Sequence, residues 1–121
     1  MSDKILHIHI ETPTETMARM LTVAKRIDKG ERRSFGNHLS FVTYEQFTAA
    51  LSDKRMEMLS VLKGQGPLSI RALSKSLNRD YKSVHGDVSR LMEIGLIEKR
   101  EDGLIEAPYD KIISEIRLRA A

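Results

Sequence analysis

Residues 66–110 read GPLSIRALSKSLNRDYKSVHGDVSRLMEIGLIEKREDGLIEAPYD and contain the clearest structural signals of the chain. Ser69 is a suitable N-cap for a short helix that ends at the turn Asn78-Arg79. A longer helix is predicted over residues 80–94, and Gly95 ends it. Glu101-Asp102-Gly103 lies between two apolar-rich runs, which is typical of a β-hairpin. The inner face of the longer helix is apolar and consists of Val84, Val88 and Leu91.

A further helix precedes this stretch. It begins after Ser52, and Gly64 with Gly66-Pro67 ends it. Its apolar positions at helical spacing are Met56, Leu59 and Leu62, with Met58 and Val61 beside them. Three helices followed by a hairpin predict an α+β fold: a winged helix-turn-helix over residues 53–108, with a three-helix core and the hairpin as its wing.

Residues 1–52 predict a strand-helix-strand extension. Lys4 to Ile10 is β-branched and alternating, as in a strand. Thr12 to Glu15 forms a capping box with a proline at the first helical position, and an amphipathic helix follows as far as Gly30. A basic loop and the short apolar piece Leu39 to Val42 come next. We expect this extension to form a dimer or to bind a partner, because its apolar faces exceed what so short a segment can bury by itself.

The tail, residues 109–121, fits two patterns. Ile112, Ile116 and Leu118 fit a strand, whereas Tyr109, Ile112 and Ile116 with Ile113 fit a helix. We favour the strand, because it can pair with the N-terminal strand.

Charge and composition limit the class of protein. The 121 residues are 40% hydrophobic and 31% charged, carry a net charge of +3 and include no cysteine. Residues 53–100 hold ten Lys/Arg against six Asp/Glu, an excess of four that would attract phosphates. Apolar runs are too short for a membrane span, and the start MSDKILHIHI does not resemble a secretory signal. The expected location is the cytoplasm.

The outward face of the helix over residues 80–94 is the candidate DNA-reading surface. Opposite the apolar face, at 100° per residue, lie Lys82, Gly86, Ser89 and Glu93. This small, polar face suits a major groove, and a mid-helix glycine is hard to justify otherwise, since it costs about 1 kcal/mol relative to alanine. Most amphipathic helices have a polar outer face without a ligand, but the preceding capped helix and the following hairpin favour DNA binding here.

Supporting contacts come from the second helix, the turn and the wing. Helix N-termini favour anions, and the second helix of this motif crosses the phosphate backbone. The acidic residues Glu101 and Asp102 at the tip of the wing argue against its deep insertion into a groove. The predicted DNA contacts are Ser69, Arg71, Arg79, Tyr81, Lys82, Ser83, His85, Gly86, Ser89, Arg90, Lys99 and Arg100.

Residues 66–110 also resemble a family of short prokaryotic MarR-like winged-helix DNA-binding proteins. The resemblance implies the winged-helix fold and DNA binding, and it suggests a small transcription regulator. Some members of the family lie beside toxin-like genes and are candidate antitoxins. The matching segments are Pro67 to Arg71, Arg79 to Tyr81, Val84 to Val88, Gly95 to Ile97 and Pro108 to Asp110.

The predicted function is that of a sequence-specific regulator that binds double-stranded DNA as a dimeric repressor. The alternative is a protein-binding winged helix, the antitoxin of a toxin-antitoxin pair, because a fold does not fix a function. An enzyme is not predicted, and neither is a cofactor. His7 and His9 share one strand face, but no cysteine or neighbouring carboxylate completes a metal site. RNA binding is disfavoured by the few aromatic residues.

Overall fold

The computed structural model describes residues 3–29 and 37–118. The chain forms two compact units. The winged-helix unit contains residues 1–4 and 48–110, and the sheet unit contains residues 5–47 and 111–121. The predicted helix end at Gly30 and the basic loop through residue 36 lie outside the described residues. In chain order the elements are β1 (Ile5–Ile10), α1 (Pro13–Asp28), β2 (Asn37–Phe41), α2 (Tyr44–Ala50), α3 (Asp53–Gln65), α4 (Ile70–Leu77), α5 (Tyr81–Glu93), β3 (Glu98–Lys99), β4 (Ile105–Glu106) and β5 (Lys111–Ile116).

The sheet unit is built on a parallel sheet with the strand order β2-β1-β5. β1 pairs in parallel with both neighbours: Ile8 lies opposite Leu39 of β2 and Ser114 of β5. Parallel neighbours need a crossover connection, and α1 supplies it between β1 and β2. The tail therefore forms the strand that the sequence favoured, paired with the N-terminal strand.

α1 begins with the predicted capping box. Thr12 Oγ1 accepts a hydrogen bond from the backbone N–H of Glu15 at 3.2 Å, and Glu15 Oε1 accepts one from the N–H of Thr12 at 2.9 Å. The two bonds satisfy donors that a helix N-terminus otherwise leaves free. Pro13 occupies the first helical turn, where its missing N–H costs nothing.

The side of α1 that meets the sheet is polar. Glu11 Oε1 accepts hydrogen bonds from Arg19 Nη2 at 2.8 Å, Ser40 Oγ at 2.8 Å and Thr16 Oγ1 at 3.0 Å. Burial alone would raise the pKa of the Glu11 carboxyl, but these hydrogen bonds outweigh it and lower that pKa to about 2. A charge-assisted network thus fixes α1 on the sheet.

Three histidines meet on the same sheet. His9 Nε2 and His38 Nδ1 share a hydrogen bond of 2.8 Å, and the His7 ring stacks on that of His38 with centroids 5.1 Å apart. Burial lowers the pKa of His9, and the nearby charge of Arg19 lowers it further. Within residues 3–29 and 37–118, no group of three His, Cys, Asp or Glu side chains is arranged to hold a metal ion.

The winged-helix unit has the predicted three-helix core. Ser52, Ser69 and Asp80 each cap one of α3, α4 and α5 with a side-chain oxygen that accepts a backbone N–H. On α3, Met58 is fully buried while Met56 is 38% exposed, so only one of the two methionines in the predicted apolar pattern lies in the core. The fully or almost fully buried apolar residues are Met58, Leu62, Leu73, Val84, Val88, Leu91, Leu96, Ile97 and Ile105.

The wing is the predicted hairpin. β3 and β4 pair antiparallel, with Lys99 opposite Ile105. Gly103 adopts a φ of 85°, which an L side chain rarely tolerates. Leu68, before α4, bridges to Ile105 through hydrogen bonds of 2.8 and 3.1 Å and so ties the wing to the helices.

Asp110 anchors the N-terminal residues of the same unit. Its carboxylate accepts a hydrogen bond from the backbone N–H of Lys4 at 2.8 Å, and Lys63 Nζ lies 2.9 Å from it. The Lys4 ammonium group also lies 5.2 Å from the centre of the Tyr109 ring. The Pro108-Tyr109-Asp110 segment therefore has a structural role.

The described part of the chain has no helix long and apolar enough to cross a membrane.

Candidate nucleic-acid interface

α5 presents one apolar and one polar face. Val84, Val88 and Leu91 point into the core and are fully buried, as the sequence predicted. Asp80 caps the helix by accepting the N–H of Ser83 at 3.0 Å. Because the core fixes the rotation of α5, the other side of the helix is presented to solvent. The exposed residues on that side are Tyr81, Lys82, Ser83, His85, Gly86, Ser89, Arg90 and Glu93.

Three of the predicted contacts, Arg71, Tyr81 and His85, form a cluster at the start of α5. The Arg71 guanidinium carbon lies 4.7 Å from the centre of the Tyr81 ring, and the His85 ring lies 5.9 Å from it. A cation over an aromatic face is attractive, by about 0.5–1 kcal/mol at an exposed site. The contact of Arg71 with Tyr81 holds a positive charge from α4 beside the N-terminus of α5, where backbone N–H groups also favour an anion.

Gly86 has no intramolecular reason to be a glycine. Its φ is not positive, it is exposed, and a Cβ placed on it would meet nothing within 4 Å. Glycine in a helix interior costs about 1 kcal/mol relative to alanine. The folded chain therefore gains nothing from this glycine that an alanine would not supply.

A charge cluster fixes α5 to the preceding elements. Arg55 Nε lies 3.0 Å from Asp87 Oδ1, and Arg79 Nη2 lies 2.8 Å from Asp87 Oδ2. Arg55 Nη1 also donates to the Ala50 carbonyl at 3.0 Å. Burial alone would raise the pKa of the Asp87 carboxyl, but the hydrogen bonds from Arg79 and Arg55 outweigh it and lower that pKa below its ordinary value. We call these three residues the Asp87 clamp.

The clamp turns Arg79 inward. Its side chain is only 22% exposed, and Nη1 is buried without a hydrogen-bond partner among the residues that the structure describes. Arg79 is predicted to contact phosphate, and in the structure its guanidinium group also positions α5 by pairing with Asp87.

The remaining predicted contacts are exposed. Ser69 caps α4 through the N–H of Ala72 at 3.0 Å. Arg90 pairs with Glu93 at 3.0 Å on the surface of α5. In the wing, Lys99 is exposed and Arg100 lies 3.3 Å from Asp102, so the acid at the tip neutralises part of the wing's charge.

Sequence reasoning missed the ion pair between Asp87 and Arg55. The two residues are 32 positions apart, on different helices. The available signal was an acidic residue on the border of an otherwise apolar face, which must find a partner when it is half-buried. It also missed that Arg71 and Tyr81 contact each other, because two different helices supply them.

Three capped helices, a two-stranded hairpin and a solvent-facing third helix define a winged helix-turn-helix protein. The model of the HVO_A0114 family matches residues 50–114, and the chain belongs to that family.

The structure is similar to the crystal structure of the multiple antibiotic-resistance repressor (MarR) from Listeria monocytogenes, with a TM-score of 0.44 and 22% identity. The match covers 81% of this chain and 65% of the repressor, so the chain spans less than two thirds of that protein's length. No curated protein matches the chain.

Proposed function

We propose that this protein binds double-stranded DNA sequence-specifically, with α5 in the major groove, and acts as a transcription regulator. The observation that carries the proposal is Gly86: an exposed, unconstrained glycine at the centre of a polar helix face. The major groove, about 12 Å wide, admits a helix whose face is small, and base edges are then within reach of neighbouring polar side chains.

The roles of the neighbouring residues follow from their placement. Lys82 and Ser89 flank Gly86 on the outward face and are the proposed base-reading residues. Arg71, held over Tyr81, is the proposed phosphate contact next to the N-terminus of α5, since guanidinium groups and helix N-termini both favour phosphate. Arg90 is a phosphate contact whose pairing with Glu93 is weak enough to exchange, because both side chains are exposed.

The regulator is proposed to act as a dimer in the cytoplasm. Two copies of a helix-turn-helix read two half-sites one helical turn apart, which explains why such regulators favour two-fold symmetry. A repressor that binds its own promoter is the simplest physiological role.

The experiment that tests this function begins by selecting a preferred duplex from a random library with the full chain. Binding is then measured by fluorescence anisotropy over a salt series on the selected and a scrambled duplex. Replacing Lys82 or Ser89 by alanine should cost about 1–3 kcal/mol on the selected duplex and much less on the scrambled one. Replacing Arg90 by alanine should weaken both alike and reduce the slope of log affinity against log salt by about one.

Lys111→Ala is the matched control, because Lys111 is an exposed lysine of the sheet unit. It should leave the difference between the two duplexes unchanged. If Lys82→Ala and Ser89→Ala both bound the selected duplex as tightly as the parent, α5 would not be the reading surface. If no duplex were enriched at all, the antitoxin alternative, in which the winged helix binds a protein, would become the better account.

A further inference from the structure

α1 carries an uncovered apolar stripe. Met17, Met20, Leu21 and Ile27 are 62, 60, 55 and 56% exposed, and Ala24 between them is also exposed. Along most surface helices such residues face the core, but α1 has no buried residue at all. Exposed apolar residues that are scattered need no explanation, whereas a contiguous row of them marks a site of association.

The stripe is exposed to solvent, and Met17 and Met20 at its margin border the end of β2. At 100° per residue, Met17, Met20, Leu21, Ala24 and Ile27 fall within one 120° sector of the helix. Arg19, whose guanidinium bonds to Glu11 and Ser40, lies on the opposite side. The polar network that fixes α1 on the sheet thus also directs the stripe outward. Between Met17 and Ile27 no charged residue falls in the sector of the stripe, and Asp28 closes it at the C-terminal end of α1.

The spacing of the stripe fits a second helix. Residues 17, 20, 24 and 27 follow the alternating three- and four-residue steps of a heptad seam. An antiparallel partner related by a two-fold axis at residue 22 would place Met20 opposite Ala24 and Met17 opposite Ile27. Each central layer then combines one large and one small side chain, which is how facing layers fill space without voids. A parallel pair would instead place Ala24 opposite Ala24 and leave a gap between large layers.

Two further observations favour an antiparallel second copy. The first turn of α1 contains Glu15 and the last turn contains Lys25 and Arg26, so an antiparallel pair brings helix ends of opposite charge to the same end of the pair, although these three side chains lie outside the stripe. Met17 and Met20 also border an apolar groove of the same unit, with Pro13, Phe41 and Val42. In the antiparallel register, Ile27 of the second copy lies at this groove.

We propose that the outward stripe of α1 is a homodimer interface, in which two copies of α1 pack antiparallel with Met20 of each against Ala24 of the other. The inference deepens the proposed function, since it supplies the two-fold symmetry that a dimeric DNA reader needs. It rests on α1 alone, however, and both experiments below contain no DNA. Failure of DNA binding therefore leaves their result intact, and a monomeric chain leaves the assignment of α5 intact.

The first experiment is sedimentation equilibrium of the full chain at micromolar concentration. The parent should be a dimer, and Met20→Glu should be a monomer, because two carboxylates would be buried in an apolar seam. Thr22→Glu places the same residue on the same helix away from the stripe and should remain a dimer. Both sites are exposed in the single chain, so thermal unfolding followed by circular dichroism should show both variants folded.

The second experiment tests the register by disulfide crosslinking. Because the chain contains no cysteine, only the introduced cysteines can form a disulfide. Met20→Cys and Ala24→Cys chains are mixed and oxidised. The antiparallel register predicts a disulfide between the two different chains and little between identical ones, because residues 20 of the two copies are offset by about 6 Å along the axis.

Three results would overturn the proposal. The first is equal sedimentation of Met20→Glu and Thr22→Glu. The second is a Met20→Cys chain that crosslinks to itself in preference to the Ala24→Cys chain. The third is a monomeric parent that associates only with a different, co-encoded protein, which would assign the stripe to an antitoxin-type partner.

Discussion

Asp87→Asn should lower the free energy of unfolding by about 3 kcal/mol, although it changes a single atom of one side chain. The Asp87 carboxylate is 18% exposed and faces the guanidinium groups of Arg55 and Arg79, which are 20 and 22% exposed. An amide has no charge, so the substitution leaves two half-buried cations facing each other without an anion. Removing one partner from such a cluster costs more than the cluster contributes, because the remaining charges stay desolvated.

The same residue predicts how stability depends on pH. The folded-state pKa of Asp87 is lowered from an ordinary value of 3.8, so its contribution is complete well above pH 3.8 and is lost as the pH falls through the lowered value. Urea unfolding between pH 7 and pH 2 should therefore show a difference between parent and Asp87→Asn that is constant near neutrality and shrinks below about pH 4.

Glu93→Ala is the control for this prediction. The Arg90–Glu93 pair lies on the same helix at a similar distance, 3.0 Å, but its side chains are 46 and 67% exposed. Exposed pairs contribute about 0–1 kcal/mol, so this variant should unfold close to the parent. A Glu93→Ala variant as unstable as Asp87→Asn would mean that burial is not what gives the clamp its strength.

Local signals made the winged helix predictable. Ser69 and Asp80 occupy N-cap positions that their side chains favour, and Gly103 occupies a turn position with positive φ. Val84, Val88 and Leu91 repeat with the helical period, and the structure confirms that all three are fully buried. Each of these features depends on residues within one or two turns of the chain, which is the range over which sequence patterns are informative.

Features that depend on packing between distant residues were harder to predict from the sequence. Met56 and Met58 both fit an apolar face of α3, and only the arrangement of the other helices buries Met58. The clamp joins Arg55 to Asp87 across 32 positions, so nothing local distinguishes Arg79 as inward-facing. Sequence patterns identified the apolar residues of α1 but not the direction in which they point. That direction follows from the hydrogen bonds of Arg19 to Glu11 and Ser40, which fix the other side of α1 on the sheet.

Gly86 should give opposite effects on stability and on DNA binding. Gly86→Ala should raise the free energy of unfolding by up to about 1 kcal/mol, because alanine is the better helix former and its Cβ meets nothing within 4 Å. If α5 lies in a groove with its backbone close to the bases, the added methyl group must push the helix away from the DNA. This displacement should weaken binding by about 1–3 kcal/mol, or roughly 5- to 150-fold in affinity.

Gly64→Ala provides the matched control for Gly86→Ala. Gly64 lies in α3, and a Cβ there also meets nothing within 4 Å. Gly64→Ala should also raise the free energy of unfolding, but by less, because Gly64 lies in the last turn of α3. It should leave DNA affinity unchanged. Both variants are measured by urea unfolding and by anisotropy on the selected duplex. A Gly86→Ala chain that is more stable than the parent is fully folded, so its affinity reports only its contact with DNA. If such a chain bound DNA as tightly as the parent, this face of α5 would not approach DNA closely.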